Sequence, residues 1–220
     1  MDKLIVTIDG PAGSGKSTIA KLLAEKLDAR FLDTGAMYRA VTFAAMRKNV
    51  DLHDEQAILS MIAATEFDFE RTDGPMTVRI DGEDVNSDIR TSHVTSHVKY
   101  IANSPAVRSE LVRMQREYAQ KAQRIVTEGR DQGTVVFPDA DYKFFLTADA
   151  RERARRRLKD LEAAGETVDL DKLQQQIETR DAEDENRKVG ALKCAYDAMK
   201  IDSTKLDIEG VVAAILDHIR

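Results

Sequence analysis

The strongest constraint on this chain is an eight-residue run near its start, residues 10–17, GPAGSGKS, which satisfies the pattern G-x-x-x-x-G-K-[ST]. It stands where the mechanics of that pattern require. Residues 4–8, LIVTI, form an apolar, β-branched run that reads as a strand buried on both faces. After the run, Ile19, Leu22, Leu23 and Leu27 recur at helical spacing and predict a helix over 16–27. A glycine turn between strand and helix gathers backbone N–H groups and the positive helix end at one point, which suits phosphate. Gly10, Gly13 and Gly15 let the backbone turn sharply with no Cβ in the way. Lys16 is placed to reach β- and γ-phosphates, and the Ser17 hydroxyl to ligate Mg²⁺. Gly10, Pro11, Ala12, Gly13, Ser14, Gly15, Lys16, Ser17 and Thr18 are the expected site for a nucleoside triphosphate, with Ser17 the metal ligand. The cradle leaves the reaction open, because a kinase and a nucleotide-dependent switch share it. A GTPase usually adds an N-K-x-D element for its base, and the sequence has none.

Several partner classes are disfavoured by composition. The net charge of -6 argues against non-specific nucleic-acid binding, since a polyanion needs a basic face. Aromatic residues are 5% of the chain and Trp is absent, so a surface of stacked bases is not expected. No apolar run approaches the roughly 20 residues that span a bilayer. Cys194 is the single cysteine, so no internal disulfide forms, and it reads as a small packed side chain rather than a reactive thiol. A cytoplasmic chain without membrane or nucleic-acid partners is the expectation. The 220 residues suit one domain.

Short apolar runs alternate with helical periodicities, which predicts an α/β fold around a central, mostly parallel sheet flanked by helices. Further strands are expected at 30–32, 125–127, 143–146 and 199–202, and a last helix over 208–219. Two stretches break the rhythm. Residues 67–89 contain Asp-Gly pairs between alternating runs, the signature of a small antiparallel insert. Residues 151–187 are densely charged and helical in propensity, with a break near Gly165, and open on RERARRR. A solvated helix is the ordinary reading of such a block, and the acidic background weighs against nucleic acid. His93 and His97 have i, i+4 spacing but lack the acidic or cysteine partner of a zinc motif, and a partly exposed helix is their expected home.

The acceptor of any transferred group has to be sought downstream. In DTGAMYRA, residues 33–40, Thr34 and Gly35 can start a helix with Arg39 one turn on, pointing back toward the cradle. Arg39 and Arg130 are suited to phosphate, because a guanidinium grips it with two parallel hydrogen bonds. Arg180, Asp184 and Arg187, spaced by four and three, would share one helix face. The same spacing also describes an exposed ladder of ion pairs.

With EGRDQGTVVFPDAD at 128–141 and ETRDAEDENR at 178–187, the DTGAMYR block resembles the bacterial cytidylate kinases, a family of nucleoside monophosphate kinases. The resemblance covers nearly the whole chain. It implies a P-loop kinase fold over 1–220, a monophosphate-binding region at 34–108 with its insert near 67–89, and a helical lid with the helix after it at 150–188. It implies transfer of the γ-phosphoryl group of ATP, with Mg²⁺, to CMP or dCMP by a monomer. By the same resemblance Arg108 and Asp131 contact cytosine, Arg180 and Asp184 hold the ribose, and Arg187 helps with phosphate or closure. Asp33, Thr34 and Tyr38 are expected beside Arg39 in the acceptor site. Arg153 and Arg157, four apart in the arginine block, are the expected lid arginines and, with Lys16, Arg39 and Arg130, the catalytic cations. Kinases of UMP or of a small metabolite, and a nucleotide-dependent binding module, are the remaining alternatives.

Overall fold

A computed structural model of the chain describes residues 3–71, 76–163, 165 and 167–219. The described residues divide into two compact units, one within 30–125 and one formed by the flanking stretches within 3–29 and 126–219.

In chain order the second unit begins with β1 (Leu4–Asp9) and α1 (Lys16–Lys26). All but one of the β1 residues are buried, as its β-branched run requires, and α1 turns Ile19, Ala20, Leu23 and Ala24 inward. The unit resumes with β6 (Arg124–Gly129), a π-helical turn over Gln132–Val136, β7 (Tyr142–Thr147), the helices α6 (Ala150–Ala163) and α7 (Leu170–Glu185), β8 (Met199–Asp202) and α8 (Ile208–His218). Its strands lie in the order β6-β1-β7-β8, with β1 parallel to β7 and β7 parallel to β8. Parallel strands need helical crossovers, and the strand–helix alternation in the sequence supplies them.

The helices α6 and α7 bury their apolar residues against each other. Ala154, Leu173 and Ile177 form a small core joined by Leu158, Leu161, Val168 and Leu170. Gly165, in the left-handed region at φ +82°, lies between them. Asp169 caps α7 by accepting from the Lys172 amide at 2.9 Å. Because α7 ends at Glu185, Arg180 and Asp184 share its last turns while Arg187 lies beyond them. The expected three-residue face is therefore a two-residue face plus a residue of the following loop.

The first unit holds β2 (Arg30–Asp33), α2 (Thr34–Arg47), α3 (Glu55–Ala63), β3 (Phe67–Arg71), β4 (Met76–Ile80), β5 (Glu83–Asp84), a 3₁₀ turn at Asp88–Arg90, α4 (Ser92–Asn103) and α5 (Pro105–Lys121). The strands β3, β4 and β5 form an antiparallel sheet in which Phe67 faces Ile80 and Phe69 faces Val78. Of the two Asp-Gly pairs read as turns, Asp73-Gly74 lies outside the described residues, and Asp81-Gly82 joins β4 to β5 with both residues at positive φ. The helices α3, α4 and α5 start at Asp54, Thr91 and Ser104, each accepting a hydrogen bond from an amide in its first turn, and Pro105 opens α5. His93 and His97 sit on α4 with ring centroids 4.9 Å apart. Among the described residues no group of three or more metal-ligating side chains occurs, and no helix is long and apolar enough to cross a membrane.

Candidate active site

The cradle belongs to the second unit, and its start is fixed by close backbone contact. A Cβ on Gly10, whose φ is +152°, would lie 2.1 Å from the Leu146 carbonyl oxygen, so only glycine fits beside β7. Gly15, also at positive φ, is the N-cap of α1. Within the loop, Ser14 Oγ donates to the Pro11 carbonyl at 3.0 Å and Lys16 Nζ donates to the same oxygen at 2.7 Å. Lys16 is buried, and burial, reinforced by the Arg130 guanidinium, lowers its pKa to about 7 against the opposing charges of Glu128, Asp9 and Asp184. A neutral carbonyl is a weaker partner for an ammonium group than an anionic oxygen would be.

Ser17 Oγ donates to Glu128 Oε1 at 2.8 Å. Glu128 is buried at the end of β6, and the sequence reading did not assign it a role, although it opens the EGRD block. A hydroxyl beside a carboxylate is a pair of hard oxygen donors that fits Mg²⁺, which draws its other ligands from phosphate and water. Thr18 is exposed on the first turn of α1.

Beyond β6 the chain delivers Arg130 and Asp131 in succession. Arg130 Nε donates to Asp184 Oδ2 at 2.8 Å, and Arg187 donates to Oδ1 of the same carboxylate. Burial pushes the Asp184 carboxyl up, but the charge and hydrogen bond of Arg130, then the charges of Arg187 and Arg180, outweigh it and hold the group below the usual range. Arg180 is solvent-exposed, yet desolvation, then repulsion from Arg130, displaces its pKa downward. Three guanidinium groups around one carboxylate leave a surplus of positive charge, the arrangement of an anion site. Asp131 is buried beside them.

The two expected lid arginines part company. Arg153 is buried, donating from Nε to the Ala148 carbonyl at 2.9 Å and from NH1 to the Ala12 carbonyl at 3.0 Å, and pairing with Asp181 at 2.5 Å. Those contacts tie α6 and α7 to the phosphate loop. Arg157 is exposed and has no ion pair or hydrogen bond among the described residues. Much of the block is absorbed within the same unit: Arg151 pairs with Asp171, and Arg156 with Glu152 and Ser203.

The first unit carries its own cluster. Asp33 caps α2 by accepting from the Ala36 amide at 2.8 Å, and its carboxylate faces Arg39 at 3.5 Å and Arg90 at 3.7 Å. Arg39 folds over Gly35, where a Cβ would come within 2.9 Å of its NH1. Its Nε is buried with no hydrogen-bond partner, an unsatisfied donor of the kind a bound anion would complete. No sequence pattern marks Arg90, which follows the small sheet. Arg108, buried on α5, stacks over the Tyr38 ring at 5.4 Å and donates to the Ala102 carbonyl at 3.2 Å. Thr34 is buried at the start of α2.

A family profile described as cytidylate kinase matches residues 6–220. Curated cytidylate kinases resemble the chain along nearly all its length. That of Pseudomonas syringae pv. tomato is 48% identical over 217 residues, covering 98% of this chain and 94% of the relative. That of Bacillus pumilus is 45% identical over 215 residues, covering 98% and 95%. Solved structures share the P-loop kinase fold at low identity. TT1252 from Thermus thermophilus superimposes with a TM-score of 0.52 at 18% identity over all of both chains. A shikimate kinase from Bacteroides thetaiotaomicron gives 0.50 at 14% over 98% of each.

Proposed function

The chain belongs to the cytidylate kinase family, and from that premise we propose that it transfers the γ-phosphoryl group of ATP to CMP or dCMP, giving ADP and CDP or dCDP. The observation that carries the reading is the succession Arg130–Asp131, with Arg130 oriented by Asp184 and a buried carboxylate next in the chain. Arg130 offers a fork of donors to phosphate, and Asp131 accepts from the exocyclic amino group of cytosine. Uracil would turn a carbonyl toward that carboxylate, setting acceptor against acceptor.

The chemistry asks little of acid–base groups. The attacking oxygen belongs to a phosphate already ionised near neutral pH, so no general base is needed. Two anions must instead be brought together and the charge of the migrating group spread over cations. Gly10 to Thr18 cradle the triphosphate, and Lys16 exchanges the Pro11 carbonyl for phosphate oxygen. Ser17 and Glu128 would hold Mg²⁺, which when bound would neutralise further phosphate charge. In the first unit Arg39 serves the acceptor phosphate with Asp33, Thr34 and Tyr38 supporting it, and Arg108 donates to the base. In the second, Arg180 and Asp184 hold the ribose, Arg187 the phosphate, and Arg157 is the lid arginine free to reach the donor. On this reading 34–108 is the monophosphate-binding region and 150–188 the lid and the helix after it. The enzyme acts as a cytoplasmic monomer, a state that light scattering with and without nucleotide checks.

A coupled assay over CMP, dCMP, UMP, AMP and GMP tests the proposal. Preference for a cytidine nucleotide is expected, and preference for any other base would remove Asp131 from base recognition.

A further inference from the structure

Asp9 is the last residue of β1, one position before the cradle begins, and it is buried. Its two carboxylate oxygens are both engaged. Oδ1 accepts from the Gln132 amide at 2.8 Å and Oδ2 from the Gly133 amide at 2.7 Å. These are the first two N–H groups of the π-helical turn, which have no partner within the turn itself. Asp131 immediately precedes them, and its carbonyl closes the turn by accepting from the Val135 and Val136 amides. Thr127 Oγ1 donates to the Gln132 side chain at 3.0 Å, securing the same residue from β6. The approach is tight at Gly133, where a Cβ would lie 3.0 Å from Thr7 Oγ1 and 3.4 Å from Asp9 Oδ2 and its neighbours would have to give way.

We infer that Asp9 is a positioning residue for the acceptor: by gripping two consecutive amides of the turn after Asp131, it fixes Arg130 and Asp131 to the point where the phosphate cradle starts. The inference rests on the reading of the chain as a cytidylate kinase. The geometry gives Asp9 a role no other group can take over, because a single ionised carboxylate presents both acceptors. Protonation, or replacement by an amide, turns one of the two atoms into a donor aimed at an N–H group.

The titratable and charged groups facing Asp9 are Asp131 beyond β6, Lys16 of α1, Lys143 of β7 and Cys194 of the loop after α7. Burial dominates: with some help from Asp131, it raises the Asp9 pKa to about 7 against the two amides and Lys16. The grip therefore holds above that pH and loosens as pH falls through it.

Asp9→Asn tests the inference. It should raise the KM for CMP about tenfold or more and leave the KM for ATP near wild type. At saturating ATP, which keeps Lys16 charged, the wild-type profile of kcat/KM for CMP should carry, besides the ionisation of the CMP phosphate, one near pH 7 that the variant lacks. An equal loss for both substrates, or an unaltered profile, overturns it. The second measurement needs no acceptor. In the nucleotide-free wild-type chain, the Gln132 and Gly133 amide proton shifts should follow one common ionisation, retained in Asp131→Asn and Lys16→Ala and lost in Asp9→Asn. Amides that ignore pH overturn the grip even where CMP is phosphorylated, whereas amides that titrate in a chain inactive on CMP would fault the reading of function alone.

Discussion

Arg130 and Asp184, 54 positions apart in sequence, meet in a hydrogen-bonded ion pair of 2.8 Å in which the carboxylate is almost wholly withdrawn from water. Removing one charge strands the other, and Arg187 loses the same partner. Asp184→Asn should destabilise the protein by about 3 kcal/mol at neutral pH. The folded-state pKa of Asp184 lies below the ordinary aspartate value of 3.8, so its contribution is complete above that value and fades as pH falls below it. Urea unfolding of both proteins should show the gap closing in strong acid. A gap that does not depend on pH would assign the loss to packing.

Lys16 makes nucleotide binding a proton-linked event. Its pKa in the free chain is lowered to about 7, and bound phosphate favours the ammonium form. Above that pH, ATP binding should draw a proton from solution and weaken about tenfold per pH unit, levelling off below it. Calorimetry in buffers of different ionisation enthalpy reads the uptake. No uptake in mildly alkaline buffer would mean that the lysine is already charged.

Arg39 and Arg90 flank one carboxylate, but only Arg39 carries a buried, unsatisfied donor. Arg39→Ala should lower kcat/KM for CMP by about 10²-fold to 10³-fold with ATP affinity retained. Arg90→Ala, more exposed, should cost about tenfold or less. Equal effects would make the pair a structural brace for Asp33.

Arg153 and Arg157 should separate by kind of effect. Arg153→Ala leaves Asp181 unpaired and frees the Ala12 carbonyl, and should cost about 3 kcal/mol in thermal or urea unfolding. Arg157→Ala should leave stability unchanged and lower turnover. If instead Arg157→Ala unfolds the protein or Arg153→Ala is silent in stability, the assignment is reversed.

What the sequence made legible was local. Strand, glycine loop and α1 occupy one register, and each of the strands expected later falls inside an observed one, because buried runs and helix starts are written in neighbouring residues. The sequence reading names neither α3 nor α5, and α4 only as the helix that carries His93 and His97, although Asp54, Thr91 and Ser104 mark the three starts. Arg187 was placed on a helix that ends before it, since spacing shows a shared face only while the helix continues. Arg153 and Arg157 look alike in RERARRR, and what separates them is Ala12, 141 positions away from Arg153. Arg90 and Asp9 stand in no residue pattern at all. Their importance is a matter of which distant atoms they meet.

The α6–α7 hairpin keeps its oil inside. Ala154, Leu173 and Ile177, with the leucines around them, bury one another, so a displacement of the pair as a body, which would have to release Arg153 from the Ala12 carbonyl, would not wet these apolar residues. Such a motion exposes little hydrocarbon, and its heat-capacity change is correspondingly small. Were the pair to move as a lid, the enthalpy of that movement should stay nearly constant from cool to warm medium, and a van 't Hoff plot of its positions would run straight.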